Sequence, residues 1–275
     1  MIMLICSDIH ANHAALEAVI AHAQSQSFDA VWCLGDVVGY GPSPGPCVAR
    51  LRDLVTPEHW LLGNHDALAL DLYRGTKHLA AVDRDSFSPD SQAVLTALPT
   101  LCAADAVAGV SFEHLLDTLA GASLTATPAS GVTLVHGSVR NPLIRYGTGN
   151  RGCNTFAASD EFAHSETATH RCLVMGHSHV PCLFFDDPDQ PQRAQLQVVR
   201  PARWLSLPTE GRAIINPGSV GQPRDNNPQS SYAMLDLERW RVKFFRVPYP
   251  ADDTARLIIN RGLPPTLAAR LIQGE

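Results

Sequence analysis

The chain has 275 residues, 45% hydrophobic and 17% charged, with a formal net charge of −6. That balance is ample for a buried core, and it excludes any general attraction to nucleic-acid backbones. No apolar run is long enough to cross a bilayer, and residues 1–6 stop at Asp8 without a basic flank or cleavage site, which argues against a secretory signal.

Residues 3–6 read as a short buried strand, with Asp8 and His10 following at its end. Two residues apart, they can project to the same side and begin a metal site. Either could also serve only as a polar residue before a helix. A helix over 11–23 carries Ala14, Leu16, Val19 and Ile20 on its apolar side, which leaves His13 and His22 on the surface. A second strand over 30–34 ends in Gly35-Asp36, and an Asp so placed could bridge two ions. The turn-rich loop 37–46 gives way to a helix through Cys47, Val48, Leu51 and Leu54. The apolar pair Leu61-Leu62 suggests another buried strand end, immediately before Gly63-Asn64-His65-Asp66. In open α/β sheets that end of a strand is where ligands bind.

From 67 to 130 the pattern weakens. Helical pieces are expected over 76–82, 89–98 and 111–119, in a segment (about 73–130) that would pack beside the site as an insertion or partial lid. Asp83, Asp85 and Asp90 read as solvated turn residues. A strand over 132–135 then ends in His136, and another over 172–175 ends in Gly176-His177-Ser178-His179. Beyond Pro181 come short runs over 183–185, 196–199, 204–207, 213–215, 231–235 and 242–247. Turn signals at 186–189 and 225–228 punctuate them, which predicts an antiparallel sheet. The loop 216–224 presents Arg224, either a bidentate phosphate clamp or a solvated cation. Helices over 251–260 and 265–272 close the chain. With no repeat or linker, residues 1–275 are expected to form a single domain. Seven cysteines without C-x-x-C spacing point to reduced thiols and a cytoplasmic location.

The strand ends collect Asp8, His10, Asp36, Asn64, His136, His177 and His179. Carboxylate, amide and imidazole together suit Mn, Fe, Zn, Ni or Co better than Ca or Mg. Seven ligands exceed one tetrahedral ion and serve two, about 3.5–4 Å apart in two-metal hydrolases. Such a pair would lower the pKa of a bridging water from 15.7 toward ~7 and make a hydroxide to attack phosphorus. His65, held by Asp66, would protonate the leaving oxygen, an assistance worth about 10²–10⁴-fold.

The order D-x-H, G-D, G-N-H-D, H and G-H-x-H between Asp8 and His179 resembles the calcineurin-like metallophosphoesterase superfamily. The resemblance implies an α/β fold, a four-layer α/β/β/α sandwich of two mixed sheets flanked by helices. It implies that Asp8, His10, Asp36 and His179 hold one metal and Asp36, Asn64, His136 and His177 the other, with manganese first among the candidate ions. The stretches around Ser7–Asn12, Gly35–Pro42, Ile215–Arg224 and Gly262–Pro264 resemble a small prokaryotic phosphodiesterase/phosphatase branch. Ala11 stands where many members have glycine. Gly39-Tyr40 occupies the place where phosphoprotein phosphatases carry Asp-Arg, which argues against a Ser/Thr protein phosphatase and leaves Arg224 and Arg140 as candidate substrate contacts. The expected substrate is a small-molecule or nucleotide phosphoester, with no membrane partner and the oligomeric state open. The alternatives are a non-catalytic scaffold of the same fold, a protein phosphatase or a dinucleoside polyphosphate hydrolase.

Overall fold

The computed structural model describes residues 1–79, 86–105, 108–149, 153–164, 170–187, 190 and 193–275. Two mixed β-sheets pack face to face, and helices cover both outer surfaces. The first sheet has the order β2-β1-β10-β11-β8, built from β1 (Ile2–Cys6), β2 (Ala30–Cys33), β8 (Trp204–Ser206), β10 (Ser230–Asp236) and β11 (Arg241–Val247). The second has the order β3-β4-β5-β9-β6-β7, from β3 (Thr125–Ala129), β4 (Val132–Val135), β5 (Cys172–Met175), β6 (Cys182–Asp186), β7 (Ala194–Gln197) and β9 (Ala213–Asn216).

Strand alternation explains the layering. Met3 and Ile5 of β1, Trp32 of β2, and Ala233 and Leu235 of β10 face inward to meet Val132, Leu134, Cys172, Val174 and Ile215 of the opposite sheet. Their neighbours Leu4, Cys6, Val31, Cys33, Tyr232 and Met234 face outward. They pack with α1 (His13–Gln26) and α2 (Pro44–Arg52) through Leu16, Val19, Ile20 and Val48. On the other outer face, Leu173, Met175, Phe184 and Ile214 pack against Ala158 and Phe162 of α7 (Thr155–His164). A helical group, α3 (Asn64–Tyr73), α4 (Pro89–Thr96), α5 (Leu98–Ala104) and α6 (Phe112–Ala120), lies beside α2. The last two helices, α8 (Ala251–Asn260) and α9 (Pro265–Gln273), pack on one another and on Val94 and Leu101 of that group.

Several expectations change. The late strands do not form one antiparallel sheet. β8, β10 and β11 join the first sheet, while β6, β7 and β9 join the second, where β9 runs parallel to β5. Leu61-Leu62 is not the end of a regular strand. Trp60 and Leu61 make isolated bridges to Cys33 and Ser123 before the chain enters α3. Residues 76–79 are not helical, and the rest of that expected helix lies outside the described residues, as do Asp83, Asp85 and part of the 186–189 turn. Asp90 sits in the first turn of α4 and accepts a hydrogen bond from the Thr266 hydroxyl. His22 is half-buried, bonded to the Tyr232 hydroxyl at 2.8 Å. Helices α3, α5 and α7 and strand β3 carry no pattern that the sequence reading recognised.

The inter-sheet layer should dominate stability. Ile5→Ala, at a fully buried site, is expected to cost about 2–5 kcal/mol in urea unfolding. Val198→Ala, 74% exposed, should stay within about 0.5 kcal/mol.

Candidate metal centre

The carboxyl ends of the parallel pairs β1–β2 and β4–β5 face one another across the sandwich, and the chain turns sharply at each. Asp8 N–H donates to the Gly35 carbonyl (3.0 Å), His10 N–H to Asp36 (2.9 Å), and Gly176 N–H to His136 (2.9 Å). The loop after β9 ties in from the other sheet through Val220 N–H to Ser7 (3.0 Å) and Gly221 N–H to Asp8 (2.9 Å). The turns are steep enough that Asp8, His10, Asp36, His177 and His179 all have positive φ, between 47° and 65°. Left-handed backbone costs a residue with a Cβ about 1–2 kcal/mol, so five of the seven expected ligands sit in strained conformations of the sort that cluster at functional sites. Ala11 shares this geometry (φ 49°), a conformation that glycine would adopt without strain.

Two groups of ligand-type atoms result. Asp8, His10, Asp36 and His179 form one and Asp36, His136 and His177 the other; within each, the atoms lie within 4.8 Å of one another, and Asp36 belongs to both. All are buried.

The hydrogen bonds fix which ring nitrogens remain free. His10 donates Nδ1–H to the Val38 carbonyl (3.0 Å) and His179 donates Nδ1–H to Gln222 (2.5 Å). Burial holds both rings below their ordinary pKa, so both are neutral and both Nε2 atoms carry lone pairs. Those atoms stand 3.1 Å apart, with Asp8 Oδ1 3.2 Å from His179 Nε2 and Asp36 Oδ2 3.6 Å from His10 Nε2. Among the described residues Asp8 Oδ1 has no hydrogen-bond partner. Four acceptors converging in a dry site repel unless a cation lies among them, so the residues fit a divalent ion.

In the second group, His177 donates Nε2–H to the Ile144 carbonyl (3.0 Å), which leaves Nδ1 free, and burial takes its pKa down to about 3. Burial also opposes a charge on His136, but the Asp36 carboxylate 3.5 Å away overrides it and raises that pKa to about 9. His136 then donates from Nδ1 to Leu34 (2.9 Å) and from Nε2 to Asn64 Oδ1 (3.0 Å). Burial works against ionisation of Asp8 and Asp36, but both carboxyls are held below their usual range, with protonated His136 acting on each.

The structure thus brings all seven expected metal ligands together. It separates His65 from Asp66. Consecutive residues in a helix do not face one another, and Asp66, at the third position of α3, turns back to accept from Gly63 N–H (3.1 Å), Val37 N–H (3.0 Å) and Val38 N–H (3.0 Å). Burial, with Asp36 nearby, pushes its pKa up to about 7 against those amides. Asp66 therefore ties α3 to the loop that bears Asp36, and it does not orient the imidazole. Among the described residues His65 has no partner on Nδ1; Tyr40 (4.5 Å between ring centroids), His10 (4.9 Å) and Phe87 (5.1 Å) pack around it.

Above the ligands opens a cleft of about 390 Å³, lined by Asp36, Asn64, His65, His177, His179 and Arg224 together with Tyr40, Phe87, Tyr146 and Arg270. Arg140 lies elsewhere, 47% exposed beside Asp160. Tyr40, Phe87, Tyr146 and Arg270 were missed. Tyr40 at least lies in the Gly35–Pro42 stretch, but Arg270 sits in a helix whose pattern reports only its apolar side.

A family model described as the calcineurin-like phosphoesterase superfamily domain matches residues 1–239. A solved metallophosphoesterase from Sphaerobacter thermophilus is 32% identical, with a TM-score of 0.76, over 100% of this chain and 99% of its own. A hypothetical protein from Pyrococcus horikoshii OT3 shares the fold (TM-score 0.68, 18% identity, 100% and 98% covered). An uncharacterized protein of Methanocaldococcus jannaschii is 27% identical over 272 residues, 98% of this chain and 97% of that one.

Two outcomes test this geometry. A Cβ at Gly63 would lie 2.0 Å from Asp36 Oδ1 and 2.2 Å from its backbone nitrogen; Gly63→Ala should displace Asp36 and reduce metal retained after desalting, read by elemental analysis. An ion bound through His136 must displace the proton held there below about pH 9. Apparent affinity should therefore rise with pH by up to about tenfold per unit toward pH 9 and then level, with proton release seen by calorimetry in buffers of different ionisation enthalpy.

Proposed function

Because the chain belongs to the calcineurin-like phosphoesterase superfamily, we propose that it is a dinuclear metal-dependent hydrolase of small-molecule or nucleotide phosphoesters, acting as a phosphodiesterase or phosphatase in the cytoplasm. The observation that carries this reading is Asp36, shared by two buried groups of ligand atoms. Asp8, His10, Asp36 and His179 would hold one ion, and Asp36, Asn64, His136 and His177 the other, with manganese the first ion to try. When bound, the ions supply Lewis-acid polarisation of the phosphoryl oxygens and activation of water at neutral pH.

The protein's own groups do the rest. His65 lines the cleft, and burial takes its pKa down to about 4, so it is neutral in the free site. An anionic phosphoryl group beside the ring reverses that shift, so His65 gains its proton when substrate arrives and can pass it to the leaving oxygen. Tyr40 packs edge-on to His10 (4.6 Å between centroids), restricting the ring whose nitrogen serves the first ion. Arg224 donates Nη2–H to the Tyr40 hydroxyl (3.2 Å) and lines the cleft, so it can replace the phosphate contact that phosphoprotein phosphatases make from the position of Gly39-Tyr40. The buried walls exclude water and strengthen each of these interactions. A catalytically silent scaffold is disfavoured by the retention of every ligand-type side chain and of His65.

With added Mn²⁺ the protein should turn over p-nitrophenyl phosphate, bis-p-nitrophenyl phosphate or both, and chelation should abolish it. His65→Ala should lower kcat by about 10²-fold or more. Arg224→Ala should raise KM or lower kcat with metal content unchanged, and normal kinetics would remove it from the site. Absence of bound metal together with silence on both substrates would favour the scaffold.

A further inference from the structure

We propose that Arg224 and Arg270, both beside Tyr40, form a second anion subsite next to the metal ligands, so that the preferred substrate is an organic phosphate bearing a further phosphate on its non-reacting half. The inference rests on the phosphoester reading above and names its substrate class.

Arg224 comes from the loop after β9, and Arg270 from the last turn of α9. Each guanidinium carbon lies 5.6 Å from the centroid of the same Tyr40 ring, and both side chains line the cleft. Among the described residues no Asp or Glu side chain forms an ion pair with either. Asp90, which acts on Arg270 electrostatically, is engaged by Thr266. Arg270 is tethered through Nε–H to the backbone oxygen of Glu275 (3.2 Å), and among the described residues Arg224 Nε is buried without a partner. Two cations on one ring repel each other, and burial together with Arg224 lowers the pKa of Arg270; an anion between them relieves that repulsion.

The reacting phosphoryl group does not need both. Two divalent ions against the carboxylates of Asp8 and Asp36 already make its seat positive, and Arg224 is within the same cleft. Arg270 lies beyond residues 1–239, the part matched by the family model. Its chemistry suits a second phosphate, which accepts two or more charged hydrogen bonds in a partly desolvated place.

The test is calorimetric titration of the Mn²⁺-loaded full chain with AMP, ADP and adenosine 3′,5′-bisphosphate, with Mn²⁺ kept in excess over nucleotide. The wild type should bind at least one of the two diphosphorylated probes about tenfold or more tighter than AMP, the gain expected of an added charged hydrogen bond. Arg270→Ala and Arg270→Gln should each lose most of that gain, and Arg270→Lys should keep part of it. If Arg270→Ala does not fold, the isosteric Arg270→Gln decides. Equal binding of all three probes by the wild type would overturn the subsite, as would a gain that survives in Arg270→Gln or an equal loss for AMP and the diphosphorylated probes. These readouts are binding constants, so absence of turnover on any phosphoester would sink the hydrolase reading without deciding the subsite.

Discussion

The structure depends on the position of one carboxylate. Asp36 accepts the His65 backbone N–H through Oδ1 (2.8 Å), while Oδ2 faces His10 at 3.6 Å and His136 at 3.5 Å. One oxygen thus fixes the start of α3 and the other joins His10, which follows a strand of the first sheet, to His136, which follows a strand of the second. In a dry site such a carboxylate is tolerable only when its surroundings carry compensating positive charge. The neutral tautomers forced by the backbone carbonyls mean that most of the nearby rings cannot supply it. A cation can.

The surrounding chain is shaped to permit that convergence. Five ligand candidates accept left-handed backbone, and their elements approach so closely that no Cβ fits at certain points. At Gly63 the space is filled by Asp36, and at Gly176 by the Ser7 hydroxyl, 2.1 Å from where a Cβ would stand. These are separate devices with one effect. Strain at the turns and glycine at the contacts let the carboxyl ends of two sheets come close enough to share ligands, and the inter-sheet hydrophobic layer holds them there.

Asp66 illustrates how a plausible local pairing can be overruled. Its place beside His65 in the chain suggested that it orients the ring. Instead it satisfies three buried backbone amides, two of them from the loop after Asp36. An amide left without an acceptor at that depth is expensive, and a helix N-terminus favours a negative side chain in its first turn. His65 is left to be positioned by its backbone bond to Asp36 and by rings from Tyr40 and Phe87.

Six of the seven ligand candidates were legible in the sequence because each follows an apolar run that forms a strand, a pattern that burial imposes locally; Asn64 follows only isolated bridges. Asp8 and His10 join one ligand group while His177 and His179 divide between the two, because all four sit in left-handed turns beyond their strands. What neighbours along the chain could not determine was anything decided between segments. The late strands divide between two sheets, since alternation tells a strand which face is buried but not which partner it meets. Arg270, Phe87 and Tyr146 reach the cleft only after α9, the α4 approach and the loop after β4 have packed. The lasting distinction is physical: periodicity records one segment's contact with an apolar interior, whereas the convergence of Asp36, His179 and Arg270 is set by packing and hydrogen bonds between segments far apart in the chain.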